Sequence, residues 1–125
     1  MSDLTALAAE IQQRLEQAGS PERRRGATTY FPTAMRVLGA SVPDIRVVVR
    51  DVSRGLKGVP PQTVLSVAHA LLDGGTFEGR QAAYEILSRH RQTLHTLGTR
   101  RVEVLGKGID NWASVDSYAC LVAGP

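Results

Sequence analysis

Two groups of residues in this chain have types and spacing suited to chemistry. Near the C-terminal end, Ile109-Asp110-Asn111-Trp112-Ala113-Ser114-Val115-Asp116-Ser117 contains the only Trp and places a carboxylate four residues after it. On a helix, positions i and i+4 share a face. Trp112 and Asp116 are therefore expected to project side by side, an aromatic wall next to an anion, as a candidate active site. The same residue types also fit a core Trp beside an Asp that favours an early helical position through the macrodipole. The second group is Arg46, Arg50 and Arg54, with Lys57 close by. At i, i+4, i+8 these arginines form one straight cationic ridge, and their mutual repulsion costs helix stability. A row of phosphate contacts would use them, because the guanidinium fork matches phosphate oxygens. A solvated helix face, with Asp51 dispersing the charge, is the other account of the same residues. The nearby Arg23-Arg24-Arg25 cluster adds weight to phosphate binding, although an exposed turn would also suit it. Neither patch is interleaved with aromatics, so both would hold a backbone rather than read bases.

No other constellation carries chemistry. His69, His90 and His95 have no metal-ligand spacing with one another or with cysteine, so no metal site is expected. Gly74, Gly75, Gly106 and Gly108 fit helix stops, and none follows a strand in a phosphate-loop or dinucleotide pattern. No cofactor is expected, and no nucleophile elbow or Ser–His pairing can be assigned.

Composition bounds the rest. At 125 residues, the chain is expected to form a single domain over 1–125 with an aliphatic core, aromatics being few. The formal net charge of +3 hides a segregation: residues 1–22 carry −3, residues 23–57 carry +6, and the remainder is neutral. Local basic charge points toward a polyanion more than a high isoelectric point does. The lone Cys120 excludes an internal disulfide and suits a reducing cytoplasm, which is the expected location. No segment reads as a signal peptide or approaches the roughly 20 apolar residues of a membrane span.

The elements that must position these residues read as helices throughout. Leu4, Leu7, Ala8, Ile11, Leu15 and Ala18 follow helical spacing, with Ser2 or Asp3 as cap and Gly19 as stop. A second helix is expected over about 21–39, opened by Ser20-Pro21, broken or kinked at Pro32 and closed by Gly39. A third runs from Pro43 to about residue 56 and buries Ile45, Val48, Val49 and Val52. Its valine run resembles a strand, but its charges also recur at helical spacing. A fourth starts at Pro60-Pro61, buries Val64, Val67, Ala68, Leu71 and Leu72, and stops at Gly74-Gly75. A fifth follows Thr76, buries Ala83, Ile86, Leu87 and His90, and ends near Leu97-Gly98. A sixth spans about 99–105. A seventh starts at Asn111 and carries Trp112, Val115, Ala119 and Val122. About seven helices with short Gly/Pro loops predict an all-α domain of antiparallel helix pairs, which a bundle and a helical-repeat solenoid both fit, exact sequence repeats not being visible. The repeated unit of Pro-led helix, Gly loop and second helix favours a HEAT-like helical-repeat superhelix.

Residues 109–117 resemble the Trp-x-x-Val-Asp-Ser segment of the AlkD-like DNA alkylation repair family, which are HEAT-like-repeat DNA glycosylases. Tyr30-Phe31 through Leu38-Gly39-Ala40-Ser41-Val42-Pro43, followed by Arg46 and Asp51, is similar to that family's Gly-x-x-x-Pro opening of an early repeat helix. Ala82-Ala83-Tyr84-Glu85-Ile86-Leu87 resembles its Ala-x-x-Leu/Met helix. The likeness extends over about residues 25–120, and the Trp/Val-Asp-Ser element is its most specific part. It implies an enzyme that removes cationic N3- or N7-alkylated purines from duplex DNA held on a concave basic surface. Trp112 would pack against the lesion's deoxyribose and Asp116 would be the catalytic carboxylate. The resemblance also implies correspondence to the N-terminal half of the family's length. The later repeats would then supply another Trp, an Arg and half of the DNA cradle. An uncovered seventh-helix face with Val115, Ala119 and Val122 would invite self-association. A non-catalytic HEAT-like module binding DNA or protein is the alternative, as is a scaffold whose Arg ridge meets an acidic partner.

Overall fold

The computed structural model describes residues 2–22, 25, 35–90 and 93. The expected helices over about 99–105 and from Asn111 onward lie outside these residues. So do Trp112, Asp116, Arg23, Arg24, His95 and Cys120. Within them the chain forms four helices: α1 (Ser2–Ala18), α2 (Val42–Gly55), α3 (Pro61–Asp73) and α4 (Phe77–Arg89). Among the described residues the only β feature is one isolated bridge, so the architecture is all-α.

Local chemistry explains the helix starts. Ser41 caps α2, its side chain accepting the Asp44 N–H, with Pro43 in the first turn and Arg54 in the last. Thr76 caps α4 by accepting the Gly79 N–H at 2.9 Å, and its hydroxyl donates to Gln12 of α1. The start of α3 has no side-chain cap and relies on Pro60-Pro61 to preset the backbone. The valine-rich α2 is a helix because Ile45, Val48, Val49 and Val52 form one buried stripe, which strand alternation would split between two faces.

The four helices pack around a shared core. Helices α1 and α4 each pack on both α2 and α3, and α1 also touches α4. The core between them contains Ile11, Leu15, Ile45, Val49, Leu71 and Ile86. Leu72, expected inside, is only half-buried, and Leu65 is buried instead. Helix α4 is buried on every side from Glu78 to Leu87 although it carries polar residues. Those residues are satisfied internally. Arg80 donates to Tyr84 Oη at 2.7 Å, and Gln81 donates to Glu85 at 3.2 Å. Burial pushes the Tyr84 phenol above its ordinary pKa, while the Arg80 hydrogen bond opposes that shift.

Two expectations are corrected. The second helix does not extend to Gly39, because Val37–Ala40 is not helical. Arg36 instead bridges Thr76, its N–H donating to the Gly75 carbonyl and its carbonyl accepting the Phe77 N–H. The N–H groups of Leu38 and Gly39 each donate to the buried Glu78 carboxylate at 2.8 Å. These bonds replace the i−4 carbonyls a helix would supply. Gly19 permits the arrangement, since a Cβ there would overlap the Leu38 carbonyl. The fifth expected helix, α4 here, stops at Arg89 rather than near residue 97. The His90 ring donates from Nδ1 to the Ile86 carbonyl at 2.7 Å, taking the acceptor that its own N–H would use in a continued helix. The His90 N–H turns to Leu87 instead. His90 is therefore half-buried at a helix end, not inside a longer helix.

Candidate nucleic-acid interface

Arg46, Arg50 and Arg54 all stand on the exposed face of α2, opposite its buried stripe. Tertiary packing then divides the expected ridge. Arg46 Nε lies 3.4 Å from Glu85 Oε1, a nearly buried carboxylate of α4 that Gln81 also serves. Asp51 pairs with Arg14 of α1 at 3.0 Å, so its charge is shared between that partner and the ridge. The Arg14 guanidinium holds the Asp51 carboxyl below its ordinary pKa, with smaller contributions from the nearby charges of Arg54 and Arg50.

Arg50, Arg54 and Lys57 line a cleft of about 420 Å³ together with Arg89 and His90 from the end of α4. Ser53 and Gly58 complete its walls. Gly58 has φ 79°, a left-handed conformation that lets the chain turn after α2 and that side chains rarely tolerate. A second cleft of about 650 Å³ shares Gly58, Arg89 and His90 and continues past Leu56, Val59 and Pro60. Among the described residues, no carboxylate and no Phe, Tyr or Trp lines either cleft.

The pairing of cations separates this cleft from the rest of the surface. Outside it, Arg14 pairs with Asp51, Arg36 with Glu16 at 3.1 Å, Arg46 with Glu85, and Arg80 with Tyr84. Arg25 also has a partner. Arg50, Arg54, Lys57 and Arg89 have none among the described residues. Arg54 and Arg89 each sit in the last turn of a helix, where a cation offsets the macrodipole. That accounts for each singly, but not for four cations around one cleft with no ion-pair partner among the described residues. Like charges gathered without a carboxylate repel, and an anion seated among them relieves the repulsion. Arginine forks with no partner are suited to phosphate oxygens. The absence of aromatic walls leaves backbone contact, not base stacking.

A family model described as DNA alkylation repair enzyme matches residues 11–125. The chain belongs to the DNA alkylation repair enzyme family. Membership gives it a role in DNA repair and makes DNA its implied partner. The match takes in the whole of the cleft as well as Trp112 and Asp116. No curated protein and no solved structure matches the chain. No helix among the described residues is long and apolar enough to cross a membrane.

Of the six residues singled out by sequence, the structure brings Arg50, Arg54 and Lys57 together and ties Arg46 to Glu85. Arg89 and His90 were not anticipated as parts of the site. No motif marks them. They reach the cleft because α4 ends opposite the turn at Gly58, and the one local signal is a basic residue followed by histidine at the helix end.

Proposed function

We propose that this DNA alkylation repair protein is a glycosylase of HEAT-like-repeat type that excises cationic N3- or N7-alkylated purines from duplex DNA. The convergence on one cleft of four cations with no ion-pair partner among the described residues supports it most. Arg50, Arg54, Lys57 and Arg89 hold the phosphate backbone, and binding releases the counterions that those phosphates had condensed. Arg46 lies at the margin of this surface.

The chemistry asks for few groups. An alkylated purine already carries positive charge, so the N-glycosidic electron pair leaves with the base and makes it neutral. No general acid is required. Positive charge develops on the sugar, where the Asp116 carboxylate stabilises it, orients the water that adds to the anomeric carbon and takes up the proton which that water gives up. Trp112 packs against the deoxyribose beside it. These two roles rest on the Trp-x-x-Val-Asp-Ser pattern.

The test is release of methylated purine from alkylated duplex DNA by the protein and by its Asp116→Asn variant. Release should fall by at least about a hundredfold in the variant, the scale of a positioned carboxylate, with folding and DNA affinity retained. Undiminished release would remove Asp116 from the mechanism. Tight DNA binding with no release by either protein would make this a non-catalytic DNA-binding module.

A further inference from the structure

Arg14 is the only basic residue among residues 1–22, and it serves the acid that stands within the cationic ridge. Helix α1 is fixed by Ile11 and Leu15, both fully buried in the core that α2 shares. Arg14 precedes Leu15 and reaches across to α2, where its guanidinium donates to Asp51 Oδ2 at 3.0 Å. The two side chains are 33 % and 40 % exposed, so salt screens this pair less than a fully exposed one. Asp51 adjoins Arg50 in sequence and stands three residues before Arg54 on the same helix. At i, i+3 the Cβ atoms of a helix are about 5–6 Å apart, within reach of an ordinary ion pair. Neither Arg50 nor Arg54 bonds to Asp51, because Arg14 holds it instead. The lowered Asp51 pKa agrees: the Arg14 hydrogen bond is its leading cause, and the charges of Arg54 and Arg50 are felt less. The other acid of α2, Asp44, lies in the first turn, about 15 Å along the axis from Arg54. Asp51 is thus the carboxylate of α2 placed to compete with a phosphate for these two arginines.

We propose that Arg14 is a positioning residue for DNA binding, which holds the Asp51 carboxylate toward α1 and so leaves the Arg50 and Arg54 guanidinium groups open to phosphate. Arg14 acts through Asp51 and makes no DNA contact of its own. Without it, Asp51 turns to the arginines beside it, and a phosphate must displace a carboxylate to use the same fork. The proposal rests on the phosphate-holding role of the cleft.

The experiment is the affinity of the full chain for an unmodified DNA duplex at low, fixed ionic strength, with folding checked by circular dichroism. Arg14→Met keeps the length of the stem and removes the cation. It should weaken binding about two- to fivefold, the scale of one or two exposed ion pairs. Arg14→Lys keeps the cation and should recover most of that loss. Arg14→Met/Asp51→Asn has the net charge of the unaltered protein and should bind DNA as tightly. A purely structural pair would not be restored by removing both partners. If the double variant stays as weak as Arg14→Met, the proposal is wrong. Arg36→Met is the control for charge alone, since it frees Glu16 from a 3.1 Å pair on a different face of α1. It should leave affinity nearly unchanged; an equal loss would reduce the Arg14 effect to net charge and overturn the proposal. Arg50→Ala/Arg54→Ala separates the failures. It should weaken binding, and adding Arg14→Met should then change nothing further. If it weakens binding while Arg14→Met alone does not, the proposal is wrong and the cleft stands. If it leaves affinity unchanged, the cleft is not the DNA site and the proposal falls with it.

Discussion

Arg46 and Arg50 stand one turn apart on α2 and have different work. Arg46 neutralises Glu85, a carboxylate that α4 holds nearly buried; Arg50 has no partner among the described residues and faces the cleft. Arg46→Ala should lower stability by roughly 0.5–1 kcal/mol, a modest figure because Arg46 is more than half exposed. It should leave the salt dependence of DNA binding nearly intact. Arg50→Ala should do the opposite, with no measurable loss in urea denaturation and a salt slope flatter by about one. The spacing of the ridge was legible in the sequence. Its division was not, because Glu85 lies 39 residues from Arg46 and meets it only once α2 and α4 pack. The same holds for Arg14 and Asp51, which are 37 residues apart.

Helical periodicity identified α1, α2 and α3 with nearly correct ends, because each has a buried stripe and α2 and α3 carry proline at their starts; α1 already includes Ser2 and Asp3, the expected caps. It failed over Val37–Ala40, where Val37 and Leu38 are apolar enough to pass for helix. A distant carboxylate decides that segment. Glu78 sits in the first turn of α4, where an acid is ordinarily a solvated partner of the macrodipole. The returning chain buries it and gives it two backbone N–H groups. Glu78→Ala would leave both donors buried without an acceptor and should cost on the order of 3–5 kcal/mol. Urea denaturation checks this. A loss below about 1 kcal/mol, the worth of an ordinary exposed interaction, would mean that the clamp does not hold the segment. The end of α4 was misjudged for a related reason. Periodicity does not register a His90 ring that takes the Ile86 carbonyl from its own backbone.

At the scale of the molecule, the all-α class follows from repeated apolar spacing and Gly/Pro punctuation. The packing of the four helices, with α4 enclosed despite its polar residues, depends on pairings that no local pattern records. Charge is arranged on the same scale: acids of α1 and α4 engage arginines away from the cleft, and its cations have no ion-pair partner among the described residues. One consequence is visible in acid. The lowered Asp51 pKa means that its pairing with Arg14 contributes fully above the ordinary value of 3.8 and is lost as pH falls through the lower folded value. Stability measured from pH 5 downward should therefore fall less steeply in Asp51→Asn than in the unaltered protein. The central claim is that the unpaired cations of the cleft hold DNA. Its most direct test is the salt dependence of duplex affinity for the protein and for an Arg50→Ala/Arg54→Ala/Arg89→Ala variant shown to be folded. The account predicts weaker binding and a slope reduced by about three, one for each lost phosphate contact. An unchanged slope in the folded variant would contradict it and place the DNA surface elsewhere on the molecule.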